Sequence, residues 1–309
     1  MKKIIIGVAL GVFTLSLLLG FFTSNPKTET GEYRIDNIRI FQNTPAWELA
    51  KAVNRQNTRR IAQIAKKTPE VLNYQDPLYG TTLLFWAVGM EKYNAAEALL
   101  KAGANPDIIS VWEGGTALYR AASFSFIDNH AKKDPRFIRL LLAHGADPNI
   151  GYIGNDRNTM PEIGTTPLMH SIGAGIEKTR ALVEAGADIN HRTESGRTAA
   201  MVALMRGGPN ATLEAVEYAH YLIVVHQADI IQPMIAYPLR GEPFEIYPVE
   251  MLRNWIYSIG SSQHQLKMEI VEEFARQGVD YWATEITQRQ LDQIQKLYPD
   301  TWEEYILRY

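Results

Sequence analysis

The chain has 309 residues, of which 46% are hydrophobic and 21% charged, enough to build a sizeable core in one to three domains. A formal net charge of -3 gives no electrostatic reason to expect nucleic acid as a partner. The absence of cysteine excludes disulfides, thiolate zinc sites, iron–sulfur clusters and cysteine nucleophiles.

The first predicted element is an apolar helix. Residues 4–22 carry no charge, and as a helix they would span roughly 28 Å, close to the hydrocarbon thickness of a bilayer. Lys2 and Lys3 precede this run, so its N-terminal side should stay in the cytoplasm. The sequence therefore favours an uncleaved single-pass anchor over residues 1–22 in the inner membrane, with the rest of the chain facing the periplasm. Secretion to the periplasm after signal cleavage is the alternative. Cleavage requires a small residue three positions before the cut, and the residues at that position of the candidate sites are large.

A linker over residues 23–44 is predicted next, and strongly biased charge follows it. Residues 45–67 carry six basic residues and one acid, a balance of +5, whereas residues 241–309 carry six basic residues and twelve acids, a balance of -6. One interpretation is that these segments are the two ends of the repeat domain, exposed to solvent and opposite in charge. The other is that the basic end rests on anionic lipid headgroups while the acidic end points away.

Four similar strings then recur along the chain: LLKAGANPDI at 99, LLLAHGADPN at 140, LVEAGADINH at 182 and LIVVHQADII at 222. Their small-polar pairs are separated by 42, 41 and 41 residues, counted along the sequence. In the first three strings Gly103, Gly145 and Gly186 can adopt the left-handed conformation that ends a helix. Gln227 stands at that position in the fourth string, where the same conformation would cost about 1 kcal/mol. The fourth unit is therefore expected to deviate most.

A second string precedes each of these: GTTLLFWA at 80, GGTALYRAA at 114, GTTPLMHS at 164 and GRTAAMVA at 196. The glycine permits a turn, and Thr82, Thr116, Thr166 and Thr198 are each predicted to cap the helix that follows. Pro167 suits the first helical position, where no amide donor is needed. One unit is thus a turn, a helix, a short loop and a second helix.

These units resemble the ankyrin repeat, whose pattern runs Gly-x-Thr-Pro-Leu-His, two helices, then Leu-Leu-x-x-Gly-Ala-Asp-x-Asn. The histidine of that pattern is replaced at all four positions, by Phe85, Tyr119, Met169 and Met201. The resemblance implies an all-α solenoid of helix pairs with short β-hairpin turns and a degenerate helical C-terminal cap. The predicted ankyrin-repeat domain covers residues 45–280. Its clear repeats are at about 76–109, 110–150, 151–192 and 193–231, with degenerate cap repeats at 44–75 and 247–283. A C-terminal capping helix is predicted over 284–309.

Such a solenoid offers a long concave surface rather than a catalytic pocket, and the resemblance implies that it binds another protein. Contact residues are expected near the turn tips and on the inner helices, where exposed aromatic side chains often carry interface energy. The candidate protein-binding residues are Tyr79, Trp86, Met90, Trp112, Glu113, Arg120, Tyr152, Asn155, Asp156, Arg157 and His170.

No sequence motif indicates catalysis. IGAGIEKTR at 172 lacks the spacing of a phosphate loop, and the seven histidines form no metal-binding pair at helical spacing. No serine lies in a Gly-x-Ser-x-Gly elbow. We therefore expect a protein that is not an enzyme, with no cofactor, no metal and no small-molecule substrate.

Three functions follow as hypotheses. The first is a membrane-anchored scaffold that captures a protein partner; some exported ankyrin-repeat proteins that resemble this chain neutralise a secreted toxin, such as a phospholipase effector of type VI secretion. The second is an envelope-maintenance or stress-protection protein that supports a periplasmic enzyme. The third, an enzyme within the C-terminal extension, has no visible acid–base or nucleophile constellation to support it.

Overall fold

The computed structural model describes residues 32–123, 126–127, 133–154, 161–238 and 240–309. The predicted anchor over 1–22 lies outside the described residues and remains a prediction. In the part of the chain that is described, none of the helices has the length and apolar character needed to cross a bilayer. The α-helices are α1 Trp47–Asn54, α2 Thr58–Lys67, α3 Leu83–Gly89, α4 Tyr93–Lys101, α5 Ala117–Ala122, α6 Arg136–Ala143, α7 Pro167–Ser171, α8 Ile176–Glu184, α9 Ala199–Leu204, α10 Leu213–His220, α11 Pro248–Leu252, α12 Ser262–Arg276, α13 Gln288–Leu297 and α14 Trp302–Ile306.

The helices stack in two rows. The first helix of each pair contacts the first helix of the next pair, so that α1, α3, α5, α7, α9 and α11 form one row. The second helices α2, α4, α6, α8, α10 and α12 form the other row in the same way. Each pair therefore buries its apolar side against its neighbours, as expected of a repeat protein. The mostly helical architecture expected from the sequence is confirmed.

Most buried side chains belong to a continuous core that extends from Ile40 to Tyr281. A smaller cluster of Ile256, Ile294, Tyr305 and Tyr309 lies beneath the last two helices. Short 3₁₀ turns flank the first helix pair at Ile38–Phe41 and Pro69–Val71. The opening and closing helix pairs thus cover the two ends of the stack, where a repeat would otherwise leave an apolar face unpaired.

The threonine caps predicted from the sequence are confirmed at all four positions. The hydroxyl of Thr82 accepts a hydrogen bond from the Phe85 amide at 3.2 Å, and Thr116, Thr166 and Thr198 cap α5, α7 and α9 in the same way. Each hydroxyl satisfies one amide that the first turn of the helix leaves without a partner.

A ladder of Asn and Asp side chains connects successive units. Asn73 accepts a hydrogen bond from the amide of Asn105, and Asp107 accepts one from the amide of Asp147, at 2.8 and 3.0 Å. Asn149 and Asn190 repeat the contact with the amides of Asp188 and Asp229. The polar residues that follow each second helix therefore join neighbouring units as well as turning the chain.

The fourth unit deviates as expected. Its second helix α10 continues into a π-helical turn over Tyr221–Val225. The amide of Ala228 bonds to the carbonyl of Leu222, six residues back, at 3.0 Å, whereas the equivalent amide of Ala187 bonds to Leu182, five residues back. The wider turn accommodates one extra residue while preserving the end of the helix.

The turns between units are closed by backbone hydrogen bonds. Asp76 and Thr81 pair in the first turn, Ser110 and Gly115 in the second, and Thr193 and Arg197 in the fourth. Among the described residues, β-strands form only a later hairpin, in which β1 Met234–Ala236 pairs antiparallel with β2 Phe244–Ile246. The short β-hairpin turns expected between the repeats are therefore wrong for the described residues, because these turns close through isolated backbone hydrogen bonds without paired strands.

The predicted single helix at the C-terminus is wrong in one respect, because the structure has two helices, α13 and α14, separated at Pro299. Tyr298, directly before this proline, adopts φ -133° and ψ 63°, outside the helical region. Helical geometry is sterically disfavoured at a residue that precedes proline, which explains the break.

Candidate protein-interaction surface

The first three inter-unit turns place apolar side chains in solvent. Leu78 is 39% exposed, Val111 69%, Trp112 58% and Ile153 56%. We call these four residues the tip surface. Exposed apolar groups at adjoining turns are typical of sites that bind other proteins.

Backbone hydrogen bonds hold the tips next to one another. The amide of Trp112 donates to the carbonyl of Tyr79 at 2.9 Å, and the amide of Ile153 donates to the carbonyl of Gly114 at 2.8 Å. Gly80 has φ +58°, and a Cβ atom there would lie 2.4 Å from Val111 Cγ2. The close approach of the first two turns therefore requires glycine at position 80.

Trp112 is held by an aromatic neighbour. Its ring meets the Tyr79 ring edge to face, with centroids 5.7 Å apart and planes at 86°. The Tyr79 hydroxyl in turn donates to the carbonyl of Tyr33 at 2.9 Å. Of the predicted site residues, Tyr79 and Trp112 thus form one ordered aromatic pair at the tip surface.

Glu113 and Arg120 are brought together as an ion pair. Their side chains are 13% and 12% exposed, and Arg120 Nη1 lies 2.8 Å from Glu113 Oε1. Arg120 also donates to Ser123 Oγ at 2.6 Å and lies 4.6 Å from the Phe126 ring centroid. Burial raises the pKa of Glu113, and the charge of Arg120 opposes that increase. The pair joins the second turn to α5 and contributes little exposed charge.

Tyr119, Tyr152 and His170 form an aromatic stack across the second and third units. The rings of Tyr119 and His170 are 4.3 Å apart with planes at 9°, and those of Tyr119 and Tyr152 are 5.9 Å apart. Burial lowers the pKa of His170 to about 3, with the charges of Arg120 and Lys178 acting in the same direction. The imidazole is therefore neutral at physiological pH and packs as an aromatic ring.

Two other candidates occupy different environments. Trp86 is 1% exposed, so its prediction as a contact residue is wrong, because its indole fills the core between helix pairs. Met90 is partly buried and packs against the same core. Asn155, Asp156 and Arg157 lie outside the described residues, and their role remains a prediction.

Leu78, Val111 and Ile153 were not singled out from the sequence. Each lies near a turn glycine, at 80, 114 or 154, and large apolar residues at such places could have indicated the tip surface. Apolar patterning alone does not reveal them, because the same residue types also fill the core.

Lys178 was also missed. It is 3% exposed, and its ammonium group donates to the carbonyls of Ala121 at 2.9 Å and Ser123 at 3.1 Å. Burial lowers its pKa to about 8. It lines a cavity of about 120 Å³ together with Arg120 and Asp134. Because both carbonyls lie at the C-terminal end of α5, the lysine satisfies acceptors that the helix leaves free.

Nothing in the described ranges assembles a metal centre, since no group of three or more His, Asp or Glu side chains is placed to hold an ion. The geometry instead defines a repeat scaffold whose first three turn tips expose apolar side chains.

Comparison with known proteins agrees with that class. The family described as "Ankyrin repeat" matches residues 79–110, which include the end of the first turn and the helix pair α3 and α4. Protein PhlB of Serratia liquefaciens is 30% identical over 192 residues, covering 62% of this chain and 74% of that protein. The chain belongs to the ankyrin-repeat family, whose members generally act as protein-binding scaffolds.

Proposed function

We propose that this chain is a non-enzymatic scaffold that captures a protein partner on the tip surface and the adjoining first-row helices. One observation carries the proposal: three successive turns, linked through their backbones, expose Leu78, Val111, Trp112 and Ile153. An ordered tryptophan beside apolar neighbours is the kind of anchor that dominates protein interfaces.

We further propose that residues 1–22 anchor the chain in the inner membrane with the repeats in the periplasm. The charge-free run at 4–22 and the preceding lysines support this placement. On this basis we propose an immunity protein as the specific role, in which the scaffold neutralises a secreted toxin such as a phospholipase effector.

The test of the scaffold is affinity capture with the full-length tagged chain from the native cell. The Trp112→Ala variant should lose partner recovery, with affinity falling about 30-fold, because a central aromatic anchor contributes about 2 kcal/mol or more. Trp282→Ala is the matched control. Trp282 is 51% exposed and forms a similar edge-to-face pair with Tyr281, with centroids at 5.2 Å. Equal losses in the two variants, or none in either, would contradict the proposed surface.

The immunity role requires a separate experiment. A strain lacking this chain should be killed by toxin-secreting siblings, and the wild-type chain should restore survival while Trp112→Ala should not. If deletion produced only sensitivity to envelope stress, without dependence on a neighbouring cell, the envelope-maintenance function would replace immunity. Reporter fusions to the C-terminus would test the periplasmic placement independently.

A further inference from the structure

The outer face of α2 carries four exposed cations, Arg59, Arg60, Lys66 and Lys67. The buried residues of this helix, Ile61 and Ala65, lie on the other side. At 3.6 residues per turn, the four cations occupy about 120° of the helix circumference, opposite the buried side. Arg55, which directly follows α1, is also exposed nearby in the chain. We call these five residues the basic face.

The charges of the basic face are not neutralised within the described part of the chain. No carboxylate there forms an ion pair with any of the five residues. The acid of α1, Glu48, pairs instead with Lys51. The surface is therefore left with a local positive potential that an anionic partner can neutralise.

Helix stability does not account for this arrangement. Lys66 and Lys67 lie in the last turn of α2, where positive charge is favourable. Arg59 and Arg60 lie in the first turn, where the helix dipole disfavours positive charge, and no acid accompanies them there. Half of the cations on the helix therefore oppose its own dipole.

The basic face lies at the end of the stack where the described chain begins. The Tyr33 carbonyl accepts the hydroxyl of Tyr79 at 2.9 Å, and the turn at Ile38–Phe41 packs against α1. Residues 23–31, nine in number, separate this end from the apolar run at 4–22. Nine extended residues reach at most about 30 Å, so an anchored chain would keep the first helix pair, against which the described chain begins, near the membrane surface.

We propose that the basic face rests on anionic phospholipid headgroups. The inference rests on the membrane anchoring proposed above. Each Lys or Arg near an anionic membrane surface changes binding about fivefold. Residues 241–309, with a net charge of -6, follow the last repeat at the opposite end of the stack and are repelled by the same surface. The two ends therefore favour the same orientation, with α2 towards the membrane.

The test uses the full chain, whose lack of cysteine permits a single label. A fluorescent donor is attached at Gln63→Cys, an exposed position on the same side of α2, or at Leu307→Cys, which is 81% exposed at the other end. The chain is reconstituted in phosphatidylcholine vesicles with or without phosphatidylglycerol, and the headgroups carry a trace of acceptor. Energy transfer from position 63 should increase in anionic vesicles and that from position 307 should not.

Neutralising two cations with Arg59→Gln and Lys66→Gln should lower the ratio of docked to undocked protein about 25-fold. Ionic strength of 1 M should have a similar effect, because it shortens the screening length to about 3 Å. Unchanged circular dichroism would confirm that these exposed substitutions leave the fold intact.

Equal transfer from position 63 in neutral and anionic vesicles would overturn the proposal, as would transfer insensitive to the two substitutions. Binding of an acidic protein or RNA to the basic face in preference to anionic vesicles would also overturn it. Flotation of the chain with neutral vesicles tests the membrane anchor alone, because neutral lipid offers no charge to the basic face. Partner capture that depends on Trp112 tests the protein-binding scaffold. A chain that floated only with anionic vesicles, and lost this behaviour on neutralisation, would support the basic face and refute the anchor.

Discussion

Gln227 ends the second helix of the fourth repeat with φ +53°, a left-handed conformation that glycine adopts in the first three repeats. The equivalent residue in the third repeat, Gly186, has φ +87°. Exchanging the two residue types, by Gln227→Gly and Gly186→Gln, should change stability in opposite directions.

The structure permits an estimate of the magnitude. A Cβ atom added at Gly186 would meet nothing within 4 Å, and the Gln227 side chain is exposed, so neither exchange disturbs packing. A residue with a side chain loses about 1–2 kcal/mol in the left-handed region, whereas glycine loses about 0.4–1 kcal/mol through the entropy of the unfolded chain. The difference is about 1 kcal/mol, so Gln227→Gly should stabilise the protein and Gly186→Gln should destabilise it by that amount.

The assay is urea unfolding followed by circular dichroism, with thermal unfolding as a second measurement. A change of about 1 kcal/mol corresponds to a shift in the melting temperature of about 2–4 °C for a domain of this size. If Gln227→Gly were neutral or destabilising while Gly186→Gln was tolerated without loss, the reasoning from backbone conformation would be refuted.

Three further predictions concern single side chains. Thr166→Ala should lower the free energy of unfolding by about 1 kcal/mol while Thr166→Ser should not, because the Met169 amide loses its acceptor only in the alanine variant; urea unfolding distinguishes the two. Asn190→Ala should cost about 1 kcal/mol through loss of its hydrogen bond to the Asp229 amide, and faster hydrogen exchange at Asp229 would show that the inter-repeat contact is the cause. In the folded protein the pKa of His170 is about 3, lowered from 6.5. Between these two pH values the unfolded chain therefore binds more protons than the folded chain, so the free energy of unfolding should fall as the pH drops from 6.5 towards 3. His170→Phe should remove part of this acid sensitivity, whereas an NMR titration showing His170 with a pKa near 6.5 would contradict the prediction.

The features predicted correctly from the sequence are local ones. A threonine followed by an apolar helix start predicts a cap wherever it occurs, because the hydroxyl and the amide it accepts from are three residues apart. A deviation in the fourth unit could likewise be expected from Gln227, because the conformation that ends a helix disfavours residues other than glycine. The π-helical turn before Gln227 could not be predicted from the four strings, because the string at 140 has the same spacing before Gly145 and follows a regular α-helix.

The features that the sequence did not reveal depend on contacts between distant residues. Trp86 and Trp112 look alike as tryptophans near a turn, yet one fills the core and the other lies in solvent. Lys178 can be buried because carbonyls at the end of α5, more than fifty residues away in sequence, accept hydrogen bonds from its ammonium group. The break at Tyr298 is different, since the following proline already excludes a continuous helix.

Photo-crosslinking in living cells tests whether the tip surface holds a protein partner. A photoreactive phenylalanine analogue replaces Trp112 in one full-length chain and Trp282 in another, so that an aromatic side chain is kept at both sites. We expect a discrete protein adduct from position 112 and none of the same identity from position 282. Absence of an adduct at 112, or the same set of adducts at both positions, would contradict the proposed surface.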